Sequence, residues 1–251
     1  MENELRNCGY CTVPDVLDST ALQNLRTHFS PAKLSALPGE NFGESGGFIA
    51  ADYHNKDVVN LLCWSKTLTV LASFGFNQPK LHNFYVSIKP PHSQALPWHS
   101  DLFYEYDHTE PSELFLIYYL EDTTIANGCL RVIPGSHLWS RGRRDQASDT
   151  AAKHDDEVDV PVKAGDLFIG DRRILHATYT NSTDTWRTCM TVAYAPNFEN
   201  LDEEIQALIV QNPCLPPSGW WKNDDLDLDP RLVKILPRYE GTAQPIVLEH
   251  K

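Results

Sequence analysis

Between residues 81 and 195 the chain falls into short segments rich in β-branched and aromatic residues: Leu81–Lys89, Glu113–Glu121, Leu130–Ile133, Val158–Val162, Asp166–Ile169 and Thr188–Tyr194. Turn-forming groups separate them, namely KPP at 89–91, NG at 127–128, PGS at 134–136, AGD at 164–166 and TNSTD at 180–184. Segments this short, with this composition and punctuation, predict successive β-strands. The run LFLIYYL at 114–120 is apolar throughout. It is too short to cross a bilayer and suits a strand buried on both faces.

Upstream the period changes. Asp18 and Ser19 read as a helix N-cap, with Leu22, Leu25 and Phe29 following at helical spacing. A second helix is expected over residues 57–73, where Val58, Leu61, Leu62, Leu68 and Leu71 form an apolar face, and residues 30–55 read as loop. The expected fold is mainly β with flanking helices: a double-stranded β-helix, that is, a jelly roll or cupin-like barrel. One domain is expected over 1–251, with a helical N-terminal flank (1–80), a jelly-roll core (81–195) and a C-terminal extension (196–251). The polar stretch 139–157 reads as a mobile loop. Its cluster Arg141, Arg143 and Arg144 could meet an anionic group, but reads first as solvated.

The composition is that of a folded chain, 41% apolar and 22% charged, and its net charge of −13 argues against nucleic acid or an anionic membrane as partner. The acidic start, MENELRNCGYC, has no apolar stretch of the secretory kind, so the expected address is intracellular, with the cytoplasm as default. Cysteines there stay reduced, and Cys8-Gly9-Tyr10-Cys11 has no second CxxC with which to build a zinc site, so it reads as structural. Asn181-Ser182-Thr183 reads as a polar turn rather than a glycosylation site.

The chemistry centres on WHSDLFY at 98–104. Side chains two apart on a strand share a face, so His99 and Asp101 can present an imidazole and a carboxylate to one point. Alone, such a pair seldom holds a metal. His176, at the end of GDLFIGDRRILH (165–176), is the best third donor. Two histidines and one carboxylate form the facial triad of non-haem Fe(II) oxygenases, which leaves coordination positions open. Arg187 lies across the next turn. On an inward-facing strand its guanidinium needs an anion, and it fits a carboxylate through two parallel hydrogen bonds; a solvated surface arginine is the plainer alternative. His137, Asp166 and Asp171 read as loop partners rather than metal ligands.

With KPP, WHSDLFY, NGCLRVIPGSH (127–137), GDLFIGDRRILH and NSTDTWR (181–187) in this order, the sequence resembles the phytanoyl-CoA dioxygenase family of Fe(II)/2-oxoglutarate-dependent oxygenases over about residues 81–195. The resemblance implies that His99, Asp101 and His176 ligate and catalyse through Fe(II), and that Arg187 anchors 2-oxoglutarate, with O2 as second cosubstrate. It places Tyr85 at a further cosubstrate contact and leaves Ile117, which departs from the family's aromatic residue, unassigned. Trp98, Tyr104, Tyr106 and Arg141 are candidates for a substrate pocket, although Trp98 and Phe103 equally suit plain core. The implied activity is oxidation of an unactivated C–H of a small molecule, most directly hydroxylation, with release of succinate and CO2. Desaturation, cyclisation or rearrangement by the same centre is the alternative. Asp101 argues against a halogenase, which has a small residue there. A non-catalytic jelly-roll binding module and a metal isomerase that uses no 2-oxoglutarate are the rivals from other classes. Substrate identity and oligomeric state are left open.

Overall fold

In the computed structural model, residues 1–34, 43–222 and 226–248 are described. Their strands are β1 (Tyr10–Val13), β2 (Gly47–Ala50), β3 (Lys80–Lys89), β4 (Leu96–His99), β5 (Leu114–Tyr119), β6 (Leu130–Val132), β7 (Val158–Val160), β8 (Leu167–Asp171), β9 (His176–Thr178) and β10 (Arg187–Ala195). The helices are α1 (Glu2–Cys8), α2 (Ser19–His28), α3 (Pro31–Leu34), α4 (Lys56–Leu62), α5 (Ser65–Ser73), α6 (Arg141–Ala147), α7 (Glu203–Ile209) and α8 (Pro230–Ile235). The strands make a six-stranded sheet, ordered β1-β8-β5-β10-β3-β2, and a four-stranded sheet, ordered β4-β9-β6-β7. Every pairing is antiparallel. No strand is shared between the two sheets, so the jelly roll is an open sandwich rather than a closed barrel.

Strand alternation divides the interior in two. Phe84, Val86 and Ile88 of β3, Leu114, Leu116 and Tyr118 of β5, and Met190, Val192 and Tyr194 of β10 join one core with Leu25, Leu61, Leu62 and Leu71 of the helices. The alternate residues Phe115, Ile117, Tyr119, Phe168 and Cys189 face the smaller sheet and pack with Leu130, Val132 and Val160. This is why β5, β8 and β10 are buried at every position: helices cover one face and the second sheet covers the other. A third cluster joins Leu102 and Tyr104 to Phe198, Ile205 and Ile209, closing the C-terminal part over one end of the sandwich.

Several expectations need correction. The predicted helix over 57–73 is two helices, α4 and α5, because Trp64 takes an extended backbone and its indole N–H donates to the Val16 carbonyl at 2.8 Å. The region 30–55, expected to be loop, contains α3 and the edge strand β2; its residues 35–42 lie outside the described residues. The stretch 139–157 is no free loop. It carries α6 and is tied to β4, the Trp98 amide and indole donating to the carbonyls of Thr150 and Ala152. Of the arginine cluster only Arg143 is exposed. Arg144 is 5% exposed and donates to the Trp139 carbonyl, Arg143 lies over the Trp139 ring at 3.6 Å, and Arg141 sits between Glu105 and Asp145.

Other readings hold. Cys8 and Cys11 are unpaired thiols, and burial pushes Cys11 up to about 12, which leaves it an inert core group. The Asn181 side chain is fully buried and donates to the carbonyls of Lys89, Pro90 and Thr185, pinning the turn that leads into β10. His137 hydrogen-bonds to the Arg6 carbonyl at 3.1 Å. Among the described residues no helix is long and apolar enough to cross a membrane.

Phe84 is wholly enclosed in the helix-facing core. Phe84→Ala is expected to destabilise the fold by about 3–5 kcal/mol. The shift in the urea midpoint measures this, and an unchanged midpoint would show that this core is not what holds helices to sheet.

Candidate active site

The pairing of β4 with β9 sets His99 directly opposite His176, with ring centroids 4.1 Å apart. Each imidazole is oriented by a carbonyl two residues earlier. His99 Nδ1 lies 2.8 Å from the Pro97 oxygen and His176 Nδ1 3.1 Å from the Ile174 oxygen. A carbonyl can only accept, so each Nδ1 carries the proton and each Nε2 presents a lone pair. Those Nε2 atoms point at one carboxylate: Asp101 Oδ1 is 3.7 Å from His99 Nε2, and Oδ2 is 3.9 Å from His176 Nε2. The ligand atoms of the three residues all lie within 4.8 Å of one another.

Asp101 does not arrive by strand alternation as expected. It lies beyond the end of β4, where its amide donates to the Arg172 carbonyl at 3.0 Å, so a loop contact sets its position. Burial opposes its charge, but His176, His99 and Arg172 outweigh this and keep the carboxyl below its ordinary range. Burial and the neighbouring His99 lower His176 to about 4, so its imidazole is neutral at pH 7. Phe115 stacks on the His176 ring at 4.9 Å. Two imidazoles and a carboxylate, each with a donor atom aimed inward, fit a divalent first-row metal with positions left over.

The triad opens into a cavity of about 110 Å³ between the sheets, whose walls include Tyr85, Ile117, Thr178, Thr191 and Arg187. Phe48 stands at its rim, 60% exposed, with its ring edge-on to Tyr85. Arg187 begins β10, pairs in register with Lys89 of β3 and is 5% exposed. Its Nε is buried without a hydrogen-bond partner, as is the hydroxyl of Tyr119, whose ring lies 5.7 Å from the guanidinium. Among the described residues no carboxylate lies within ion-pair distance of Arg187 or Lys89. A buried, unanswered guanidinium calls for an anion, and the carboxylate of a dicarboxylic acid fits.

A second cavity, of about 410 Å³, adjoins the first at Asp101. Tyr104 lines it, as expected of a pocket residue, together with Phe103 and a buried cluster around Glu113. Tyr104 donates to Glu113 Oε1 at 2.8 Å, while Arg172 and His82 both bond to Oε2. Burial opposes the Glu113 charge, but Arg172 and then His82 override it and hold the carboxyl well below its usual range.

Three of the substrate candidates lie elsewhere. Trp98 is 1% exposed, packed with Ile133, Leu175 and Ala177 under the Arg131 guanidinium. Tyr106 packs against His108 with the rings tilted by 39°, and Arg141, at the start of α6, lies near Glu105 and Asp145. None of these three lines either cavity. Sequence reasoning missed Thr178, which sits two residues after His176 and so shares its face, and Thr191, which only the β3–β10 register places beside Tyr85. It missed Phe48 by reading that stretch as loop. It also missed Glu113 and Arg172, which are 59 residues apart.

The sequence profile of the phytanoyl-CoA dioxygenase (PhyH) family matches residues 5–189. The chain is 27% identical to the dioxygenase sphC of Aspergillus fumigatus over 62% of this chain and 35% of that protein. It is 35% identical to a probable alpha-ketoglutarate-dependent hypophosphite dioxygenase of Stutzerimonas stutzeri over 52% of this chain and 50% of that protein. The chain spans only 23% to 50% of the length of the first three curated relatives it matches. Among solved structures, the epimerase SnoN in complex with Fe3+, alpha ketoglutarate and nogalamycin RO shares the fold, with a TM-score of 0.61 and 21% identity over 98% of this chain and 94% of that chain. With its profile match extending from α1 into β10, the chain belongs to the phytanoyl-CoA dioxygenase family.

Proposed function

We propose that the chain is an Fe(II)- and 2-oxoglutarate-dependent dioxygenase that oxidises a C–H bond of a small organic molecule, most directly by hydroxylation. The observation that carries this is the His99–Asp101–His176 triad in one cavity with a buried Arg187 that has no carboxylate partner among the described residues. His99, Asp101 and His176 would hold Fe(II), which supplies oxidation of substrate by O2 coupled to conversion of 2-oxoglutarate to succinate and CO2. Arg187 binds the distal carboxylate, and Tyr85, Thr178 and Thr191 border the space between. The Nδ1 hydrogen bonds fix both imidazoles before the metal arrives, so little reorganisation accompanies binding. Phe115, Ile117 and Tyr119 keep bulk water from the reacting centre.

Asp101 supports a hydroxylase rather than a halogenase, since its carboxylate takes the place a halide needs. A second reading, oxidative epimerisation or cyclisation on the same site, draws on the names of the structural neighbours SnoN, an epimerase, and SnoK, a carbocyclase.

Asp101→Ala is expected to weaken binding of Mn(II), used in place of Fe(II), by at least about tenfold and to abolish succinate release, with the circular dichroism spectrum unchanged. Full succinate release by this variant would remove Asp101 from the centre. Arg187→Ala is expected to weaken 2-oxoglutarate binding by roughly 30-fold to several thousand-fold, about 2–5 kcal/mol, measured by calorimetric titration of the Mn(II)-loaded protein. Equal affinity in wild type and variant would show that another group anchors the cosubstrate.

A further inference from the structure

We infer that the second cavity receives the primary substrate and that it selects an uncharged, oxygen-bearing molecule with an apolar skeleton, rejecting anions. This rests on the reading of the first cavity as the cosubstrate site and deepens it.

Position comes first. Down the inner face of the larger sheet, β10 presents Arg187, Cys189, Thr191 and Ala193, while β3 presents Ser87, Tyr85 and Asn83. From Arg187 to the Asn83 level is six residues, roughly 20 Å of strand. A five-carbon diacid anchored at Arg187 leaves the far end open, and there the second cavity begins, with Asp101 forming part of both walls. Its volume of about 410 Å³ falls in the usual range for small-molecule sites, roughly 300–1,000 Å³.

Charge then separates the two spaces. The first cavity holds a buried guanidinium with no carboxylate within reach. In the second, the one arginine among the described residues of the wall, Arg172, is already bonded to Glu113, and Tyr104 and His82 also bond to that carboxylate. Arg173 nearby is held by Asp171 through two hydrogen bonds, of 3.0 and 2.7 Å, and Arg141 lies beside Glu105 and Asp145. An entering anion would meet Glu113 and, among the described residues of the wall, no free cation; recruiting Arg172 would break a buried ion pair. Uncharged hydroxyl or carbonyl groups face no such barrier, because the wall also offers the amide groups of Asn83 and Gln211. Phe103, Leu208, Pro213 and Leu248 supply apolar surface for a skeleton.

The test uses the full chain loaded with Mn(II) and 2-oxoglutarate under argon. Ligand-observed NMR measures binding of matched pairs, 4-methylumbelliferone against its phosphate and testosterone against its sulfate, together with hypophosphite and palmitoyl-CoA. Paramagnetic broadening by Mn(II), with Zn(II) as control, reports closeness to the metal. The uncharged probes are expected to bind at least tenfold more tightly than their anionic partners and to be broadened. Leu208→Trp, which fills the cavity from α7, should weaken them at least tenfold and leave 2-oxoglutarate affinity within twofold. Glu113→Gln uncovers Arg172 and should shift preference at least tenfold toward the anions; should that variant not fold, Leu208→Trp decides alone. Anions binding as tightly as the uncharged probes, no binding of any uncharged probe, or binding indifferent to Leu208→Trp each overturn the inference. Failure of wild type to bind 2-oxoglutarate would instead overturn the parent reading, so the two failures are told apart.

Discussion

Everything at the centre depends on one backbone register, that of β4 against β9. It puts His99 across from His176, and the same local device orients both rings, an Nδ1 hydrogen bond to the carbonyl two residues back. A slip of one residue in this pairing would turn an imidazole to the opposite face and break the cluster. The register is not left to β4 alone. β9 also pairs with β6, Val132 facing His176, while Trp98, next to His99, is locked to the 139–157 stretch by its amide and its indole. The large buried side chain that resembled a substrate contact therefore serves the site from behind, by holding the strand that carries a metal donor.

The second dependence is parity along the larger sheet. Because strand side chains alternate, the residues that build the helix-facing core and those that face the smaller sheet are interleaved, and neither set can move without the other. Arg187, Thr191 and Tyr85 share the inner parity with Phe115 and Ile117, so the anion-binding end and the apolar surround of His176 belong to one sheet face. The helices contribute no donor to the triad. They seal the outer face with Leu25, Leu61 and Leu71, which leaves β5 and β10 buried at every position.

What the sequence made legible follows the same physics. Long strands with β-branched and aromatic residues announced themselves, whereas His99, Asp101, His176 and Arg187 gave weak signals one by one and stood out through the ordered set of motifs that carries the family resemblance. Short edge strands did not. Tyr10–Val13 has four residues, and β2 opens with a glycine in a glycine-rich stretch that reads as loop. Helix α6, RGRRDQA, has no apolar stripe and contains a glycine; packing of Ala147 against the Trp98 cluster helps hold it, so no local period could reveal it. Asp101 was found for an inexact reason, since its place is set by the Arg172 carbonyl across the fold rather than by strand alternation. The Glu113–Arg172 pair joins residues that only the finished sheet brings together.

A chain of net charge −13 is an unfavourable host for a dianion at long range. Screening restricts that repulsion to about 8 Å at physiological salt, so the local pattern decides. There Arg187 and Lys89 stand as register partners, both nearly inaccessible, and the Lys89 ammonium is held by the carbonyls of Ser45 and Gln94 rather than by a carboxylate. Burial, with Arg187 adding repulsion, lowers Lys89 to about 7. Burial beside an arginine thus disfavours the lysine's charge, and an anion between the sheets would favour it. Lys89 also carries this charge pattern to the rim, because its bond to Ser45 fixes the backbone that leads into Gly46, Gly47 and Phe48 at the mouth of the cavity. At the far end of the same sheet face Glu113 and Arg172 are by contrast already paired with each other, so the two ends of that face differ in the charge they leave unmet.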